Sequence, residues 1–129
     1  MLTFQPLTQE EDVVRRFPGC AGGVAYIAYS DQQEVGSCLF CIDGELVEIR
    51  AIHTARSDPP AVTEGLLRAA LGYASRRGAF RAVLIAKITD LNPDALGFRK
   101  VDGRYEADIY DVLTSGGCSC GACPDVAAD

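Results

Sequence analysis

The chain has 129 residues, of which 48% are hydrophobic and 23% are charged, so one globular domain is expected and extensive disorder is not. Its formal net charge is −6 and its basic residues form no long run, which argues against nucleic acid and anionic membranes as partners. No run of 18 apolar residues exists and residues 1–6 lack the features of a signal peptide, so we expect a cytoplasmic protein whose six cysteines are reduced.

The first part of the chain predicts a strand, a short helix and the start of an antiparallel meander. Residues 2–7 form the predicted strand, and Thr8 is the expected cap of the helix that follows. Two apolar segments, residues 24–29 and 35–42, predict a pair of strands. Asp43-Gly44 predicts a type I′ hairpin turn, because both central residues of that turn need a positive φ.

A strand followed by a loop and a helix forms the centre of the chain. In the predicted strand, residues 45–53, alternation places Val47, Ile49 and Ala51 on one face and Leu46, Glu48, Arg50 and Ile52 on the other. Apolar residues recur at helical spacing over residues 61–77, and Gly78 is the expected C-terminal cap.

The remaining sequence predicts one parallel crossover and a final hairpin. Residues 81–88 contain a continuous apolar run typical of a strand covered on both faces. Asn92-Pro93 begins a short helix that ends at Gly97, and residues 98–101 and 104–112 predict strands joined by Asp102-Gly103. The predicted fold class is α/β (α+β), with a single mixed, mostly antiparallel sheet, one βαβ crossover and helices on both faces. The predicted domain is 1–113, and 114–129 is a Gly- and Cys-rich tail.

The order of these elements resembles the GNAT superfamily of N-acetyltransferases over roughly residues 2–113. Four segments carry the resemblance: Gly36-Ser37-Cys38-Leu39 as the third strand, residues 45–54 as the fourth strand, residues 65–74 as the helix after the pyrophosphate loop, and Leu96-Gly97-Phe98 as the turn before the sixth strand.

The resemblance implies an acetyl-CoA site between the fourth and fifth strands. Main-chain groups of Ala51, Ile52 and His53 would contact the pantetheine arm of the cofactor. N–H groups at the start of the helix would contact its phosphates, and the candidates there are Ala61, Val62, Thr63, Glu64 and Gly65. The implied reaction is direct attack on the thioester by the amine of a small molecule or peptide.

The chain departs from the family pattern at the phosphate loop and at the acid. Asp58, Ala61 and Thr63 occupy positions where the family carries Gln or Arg, Gly, and Gly or Ala, and glycine is what allows close approach of a phosphate. Pro93 lies where many members carry the tyrosine that protonates the leaving thiolate.

Three residues are candidates for the chemistry of acyl transfer. Glu48, on the mixed face of its strand, is the candidate general base. His53, the single histidine, is a second candidate base or hydrogen-bond partner at the strand end. Tyr105 is the candidate replacement for the missing acid. For each of the three, a structural role is the alternative.

The cysteines suggest a different kind of site. Cys118, Cys120 and Cys123 lie within six residues among glycines and are candidate zinc ligands, although a structural zinc site needs a fourth ligand from elsewhere. A redox-active tail and an inert tail are the alternatives. Cys38 and Cys41 are three residues apart on a strand, so their side chains are expected on opposite faces.

Three hypotheses about function follow from the sequence. The first is an N-acetyltransferase that uses acetyl-CoA, and the second is an inactive ligand-sensing or protein-interaction module with the same fold. The third is a thiol- or metal-handling protein that uses the tail. A homodimer is a further hypothesis, because Tyr26 and Phe40 would need cover if the helical layer is reduced.

Overall fold

The computed structural model describes residues 2–18, 22–55, 59–87 and 92–115. Its strands are β1 (Leu2–Leu7), β2 (Val24–Ser30), β3 (Gln33–Asp43), β4 (Leu46–Thr54), β5 (Arg81–Leu84), β6 (Arg99–Val101) and β7 (Arg104–Asp108). Its helices are α1 (Glu10–Arg16), α2 (Pro59–Arg76) and α3 (Ile109–Ser115), with a 3-10 helix at Pro93–Leu96.

The strands form one seven-stranded sheet in the order β1-β2-β3-β4-β5-β7-β6. The pair of β4 and β5 is parallel and is connected by α2, whereas every other pair is antiparallel. The predicted mixed sheet with one βαβ crossover is therefore confirmed.

Helices cover both faces of the sheet to different extents. The apolar stripe of α2 (Leu66, Leu67, Ala70 and Leu71) and the buried residues of α3 belong to the main core, together with the inward side chains of β2 to β5. The seven-residue α1 buries only Val13, in a small cluster with Ala25 and Leu39. The α1 face of β4, β5 and β7 therefore lies largely outside this cluster and carries charged side chains such as Glu48 and Arg81, both at least partly exposed.

The apolar surface that suggested a homodimer is covered within the chain. Tyr26 and Phe40 are 7% and 0% exposed, and both rings contact Tyr73 of α2 edge to face. The reason given for a homodimer is therefore wrong, because α2 alone is long enough to cover these two rings.

The hairpin after β3 exists, but its turn is displaced by one residue. Asp43 pairs with Leu46, so the two central residues are Gly44 and Glu45. Only Gly44 has a positive φ, which is the pattern of a type II′ turn and not of the predicted type I′. The predicted hairpin at Asp102-Gly103 is confirmed, and the positive φ of both residues makes its turn type I′.

Two of the predicted helix caps are present in the structure and one is not. Gly78 has φ 96°, and the N–H groups of Gly78 and Ala79 donate to the carbonyls of Ser75 and Ala74, which is a Schellman cap. Asn92 Oδ1 accepts a hydrogen bond from the Asp94 N–H at 3.1 Å, as expected of a cap. The N-cap of α1 is Gln9 and not Thr8, and it makes no side-chain capping bond.

The last predicted strand is half helical. β7 ends at Asp108, and Ile109–Ser115 form α3, because Ile109 and Val112 lie on one side of a helical turn and are buried in the main core. Arg68 of α2 holds the end of this helix: its Nη1 donates to the Leu113 carbonyl at 3.0 Å.

Candidate functional site

The two parallel strands of the sheet separate at their carboxyl ends. β5 pairs with β4 only from Leu46 to Ile49. The N–H groups of Ile85 and Ala86 both donate to the Ile49 carbonyl, at 2.9 and 3.0 Å, and there the pairing ends. Residues 50–54 of β4 continue along β3 with no partner from β5 among the described residues. The result is a gap that is bounded by β4 on one side and by residues 85–87 on the other.

A β-bulge at Arg50 lies at the point where the strands separate. Phe40 pairs with Ile49 and Leu39 pairs with Ala51, so Arg50 is an extra residue on β4. A bulge increases the local twist and bends the strand that carries it, which accounts for the divergence from β5.

The bulge also shifts the alternation of side chains along β4 by one residue, so the predicted alternation is wrong beyond Arg50. Val47 and Ile49 belong to the main core, as expected, but so does Ile52, which packs against that core. Ala51 packs against the small cluster on the α1 side. The prediction that Ala51 shares a face with Val47 and Ile49 is wrong, because one inserted residue shifts the two-residue period.

Main-chain groups of β4 face the gap at alternate residues. The Ala55 N–H donates to the Val35 carbonyl at 2.7 Å, so Ala55 faces β3. In an antiparallel ladder the facing residues alternate, so Ala51 and His53 face β3 while Ile52 and Thr54 face the gap. The candidate main-chain partners of a ligand therefore become Ile52, as predicted, and Thr54, which the sequence reasoning missed because the bulge was not foreseen.

The start of α2 lies against the end of β4. Gly36 of β3 makes this possible, because a Cβ at Gly36 would lie 2.7 Å from Val62 Cγ1 and 3.0 Å from the His53 carbonyl oxygen. The helix thus begins beside the gap, as a phosphate-binding helix would.

The start of α2 offers few donors to a phosphate. The helix begins at Pro59, two residues earlier than predicted, and neither Pro59 nor Pro60 has an N–H. Beyond the first turn N–H groups bond within the helix, which applies to Thr63, Glu64 and Gly65. The set of predicted phosphate donors is therefore reduced to residues in the first turn of α2, where Ala61 is exposed. Asp58 lies outside the described residues.

Gly65 and its neighbours in α2 have structural contacts. The ring of Phe4 lies where a Cβ of Gly65 would be, with two ring atoms 2.8 Å from that position. Thr63 is 1% exposed, and Glu64 accepts a hydrogen bond from Arg68 Nε at 3.0 Å. These contacts give each residue a reason to be present that is independent of a cofactor.

Glu48 lies two residues before the bulge, on the sheet face opposite α2. Its side chain is 28% exposed, and its Oε1 accepts a hydrogen bond from Arg50 Nη2 at 2.7 Å. The second carboxylate oxygen takes no part in that bond and is available to accept a proton. Glu48 therefore combines partial burial with access from the open face, as a general base requires.

His53 and Tyr105 lie on opposite sides of the sheet. The His53 ring stacks on Phe17, with ring centroids 6.5 Å apart, and is exposed on the α1 side. Tyr105 pairs with Leu84 at the end of β5 and packs against the main core. The structure therefore does not bring the three predicted catalytic residues to one point, and Glu48 and Tyr105 flank β5 from different faces.

A cavity of about 420 Å³ adjoins the gap beyond β5. It lies between residues 84–87, Pro93 and the β6–β7 hairpin, and Tyr105 is one of its lining residues. Three basic side chains line it: Lys87, Lys100 and Arg104. Sequence reasoning missed this set, because the three residues lie on separate segments that only the fold brings together.

The thiols of the described residues show no site of their own. Cys38 is fully buried and burial raises the pKa of its thiol to about 12, while Cys41 is partly exposed on the other face. Within residues 2–18, 22–55, 59–87 and 92–115, no group of three or more His, Cys, Asp or Glu side chains could hold a metal ion. The predicted zinc ligands Cys118, Cys120 and Cys123 lie outside those ranges. No helix in the described part is long and apolar enough to cross a membrane.

Strand order, crossover and the gap at the bulge define a GNAT fold, and solved structures confirm this. A GNAT-family protein from Desulfovibrio desulfuricans superposes with a TM-score of 0.65 at 11% identity, covering 84% of this chain and 99% of its own. A GNAT-family acetyltransferase from Elizabethkingia anophelis with acetyl-CoA bound gives 0.58 at 18% identity, covering 78% of each chain. The ribosomal-protein-S18-alanine N-acetyltransferase of Escherichia coli gives 0.61 at 12% identity, covering 84% and 94%. No protein-family model and no curated protein sequence matches the chain.

Proposed function

We propose that the protein is an N-acetyltransferase that transfers an acetyl group from acetyl-CoA to an amine. The observation that carries the proposal is the gap between β4 and β5, where the main-chain groups of Ile52 and Thr54 face away from β3 and meet no other strand of the described residues. An extended chain with amide groups, such as the pantetheine arm, can pair with these groups as an added strand would. The E. anophelis neighbour, which shares the fold, is a structure with acetyl-CoA bound.

The roles proposed for side chains follow from their positions around the gap. In the reaction a C–N bond forms and the C–S bond breaks, the amine loses a proton and the thiolate gains one. Glu48, on the open face beside the bulge, is the candidate to accept the proton from the amine. Tyr105, which pairs with Leu84 at the end of β5 and lines the cavity beside the gap, is the candidate to supply the proton to the thiolate.

A second candidate function is ligand binding without transfer. Pro59 and Pro60 remove two N–H groups from the turn of α2 that would hold the phosphates, which favours weak cofactor binding. A module with this fold that responds to a ligand through the same gap would show binding and no turnover.

Acetyl-CoA binding and transfer are both measurable in the purified protein. At ten times its Kd, acetyl-CoA should stabilise the native state by about 1.4 kcal/mol, which corresponds to a rise in Tm of roughly 4–8 °C for a domain of this size. Release of free thiol in the presence of a panel of amines then tests transfer. No rise in Tm at 5 mM acetyl-CoA would sink the proposal, and a rise without thiol release on any amine would favour the binding module.

A matched pair of variants tests the role of the main chain. Thr54→Pro removes an N–H that faces the gap and leaves the bond from Ala55 to Val35 intact. Loss of one hydrogen bond of about 0.5–1.5 kcal/mol should weaken acetyl-CoA binding roughly 2- to 12-fold. Thr54→Ala removes the side chain and keeps the N–H, so it should bind like the wild type. Equal affinities for the two variants would argue against pairing at Thr54.

A further inference from the structure

The cavity beside the gap is basic in a chain that is acidic overall. Lys87, Lys100 and Arg104 line it, and no Asp or Glu does within the described ranges. The formal net charge of the whole chain is −6. A positive lining against this background is a local feature of the fold, since the three cations come from the segment after β5 and from both strands of the last hairpin.

Two of the three cations have no carboxylate partner in the part of the chain that the structure describes. Neither Lys87 nor Lys100 forms an ion pair with any described residue, although Lys100 Nζ lies 5.9 Å from the centroid of the Tyr105 ring. Arg104 reaches Glu106 only at 3.6 Å, and its side chain is 58% exposed. By contrast, Arg50, Arg68 and Arg81 each have a carboxylate within 3.1 Å. Unpaired cations around a cavity are suited to a ligand that supplies the negative charge.

The size and position of the cavity suit a small molecule bound at the gap. Its volume of about 420 Å³ lies within the range of about 300–1,000 Å³ found for ligand pockets. Leu84 at the end of β5 and the next two residues, Ile85 and Ala86, line the cavity at the point where the gap opens. A molecule in the cavity can therefore extend an amine toward the gap.

We infer that this cavity binds the anionic group, a carboxylate or a phosphate, of an acceptor amine. Lys100 and Lys87 hold the anion with Arg104. The inference rests on the proposed acetyl transfer and narrows its acceptor to amines that carry a negative charge, such as amino acids. A phosphate of the cofactor is the other source of the same chemistry.

Matched amines and matched variants test the inference. The pairs phenylalanine and phenethylamine, and lysine and cadaverine, differ by one carboxylate, and thiol release from acetyl-CoA gives kcat/KM for each. Hydrogen bonds to a charged group should favour the carboxylated member by about tenfold or more. Lys100→Gln should remove most of that preference. Arg99→Gln, which changes the neighbouring cation in β6 but does not line the cavity, should keep it.

The outcomes separate this inference from the proposed function. Transfer without a preference for the carboxylated amines, or the same loss in Arg99→Gln, would overturn the inference and leave the transferase intact. Weaker acetyl-CoA binding in Lys100→Gln would also overturn it, because the cavity would then hold a cofactor phosphate. A titration with sodium N-acetylphenylalanine at constant ionic strength, followed by NMR, measures anion binding at the cavity without requiring acetyl transfer. If this titration shows binding that depends on Lys100 while the protein does not bind acetyl-CoA, the anion site is supported and the proposed acetyl transfer is refuted.

Discussion

Gly65 offers a sharp test of how α2 packs on the sheet. Replacing Gly65 by Ala improves helix propensity by about 0.8–1.0 kcal/mol, as it would at any interior position of a helix. The added methyl would occupy the volume of the Phe4 ring, two atoms of which lie 2.8 Å from the new Cβ. Overpacking of this kind costs about 1–3 kcal/mol, because a ring held in a strand cannot move without disturbing its neighbours. The expected net change in the free energy of unfolding is a loss of about 0–2 kcal/mol.

Gly72 of the same helix is the matched control. A Cβ there has its nearest neighbour at 3.6 Å, the flexible end of Arg76, so Gly72→Ala should show the propensity gain alone. Urea unfolding with linear extrapolation measures both variants against the wild type. The two should differ by about 1–3 kcal/mol.

Phe4→Leu completes the test. A smaller side chain at position 4 should relieve the clash, so the double variant Gly65→Ala/Phe4→Leu should be more stable than the sum of the single changes predicts. A gain in Gly65→Ala equal to that in Gly72→Ala would refute the reasoning, and so would the absence of coupling with Phe4. In that case the glycine at position 65 would need another explanation, such as access of a cofactor to the helix.

Two further predictions concern titratable groups. Burial raises the pKa of Cys38 from 9.0 to about 12, so above pH 9 the unfolded chain loses a proton that the native state keeps, and stability should fall as the pH rises toward 12. Cys38→Ala should show a shallower fall in the urea midpoint between pH 8 and 10.5, and identical slopes would contradict the assignment. Glu48→Gln should lower the rate of acetyl transfer by about 10²–10⁴-fold and leave the rise in Tm with acetyl-CoA unchanged. Glu106→Gln is its control, because Glu48 and Glu106 both pair with Val83 from opposite sides, and an equal loss in both variants would exclude a specific role for Glu48.

Features set by a few neighbouring residues could be predicted from the sequence. The Asp102-Gly103 turn, the Gly78 cap and the cap at Asn92 each depend on local backbone preferences, and the structure confirms all three. The hairpin after β3 was predicted for the same reason, although its turn is displaced by one residue and only Gly44 has a positive φ.

Features set by long-range packing could not be predicted in this way. Residues 109–112 contain β-branched and aromatic side chains that favour a strand, yet they form a helix because α2 and the end of the sheet cover Ile109 and Val112. The candidate site shows the same division. The order of β4, loop and α2 indicated the gap, whereas the basic cavity depends on three segments that meet only in the folded chain.

Arg50 has a consequence for how β4 can vary. The strand consists of two segments whose side chains alternate out of phase, and Arg50 is the spacer between them. A different side chain at this position leaves both phases unchanged. Deleting the residue would let Ala51 follow Ile49 in regular alternation, so Ile52 would stay in the core and the same main-chain groups would face β3. What would be lost is the local twist and bend at the point where β4 separates from β5. The extra residue at position 50 therefore shapes the opening between the two strands and leaves the burial of the residues that follow unchanged.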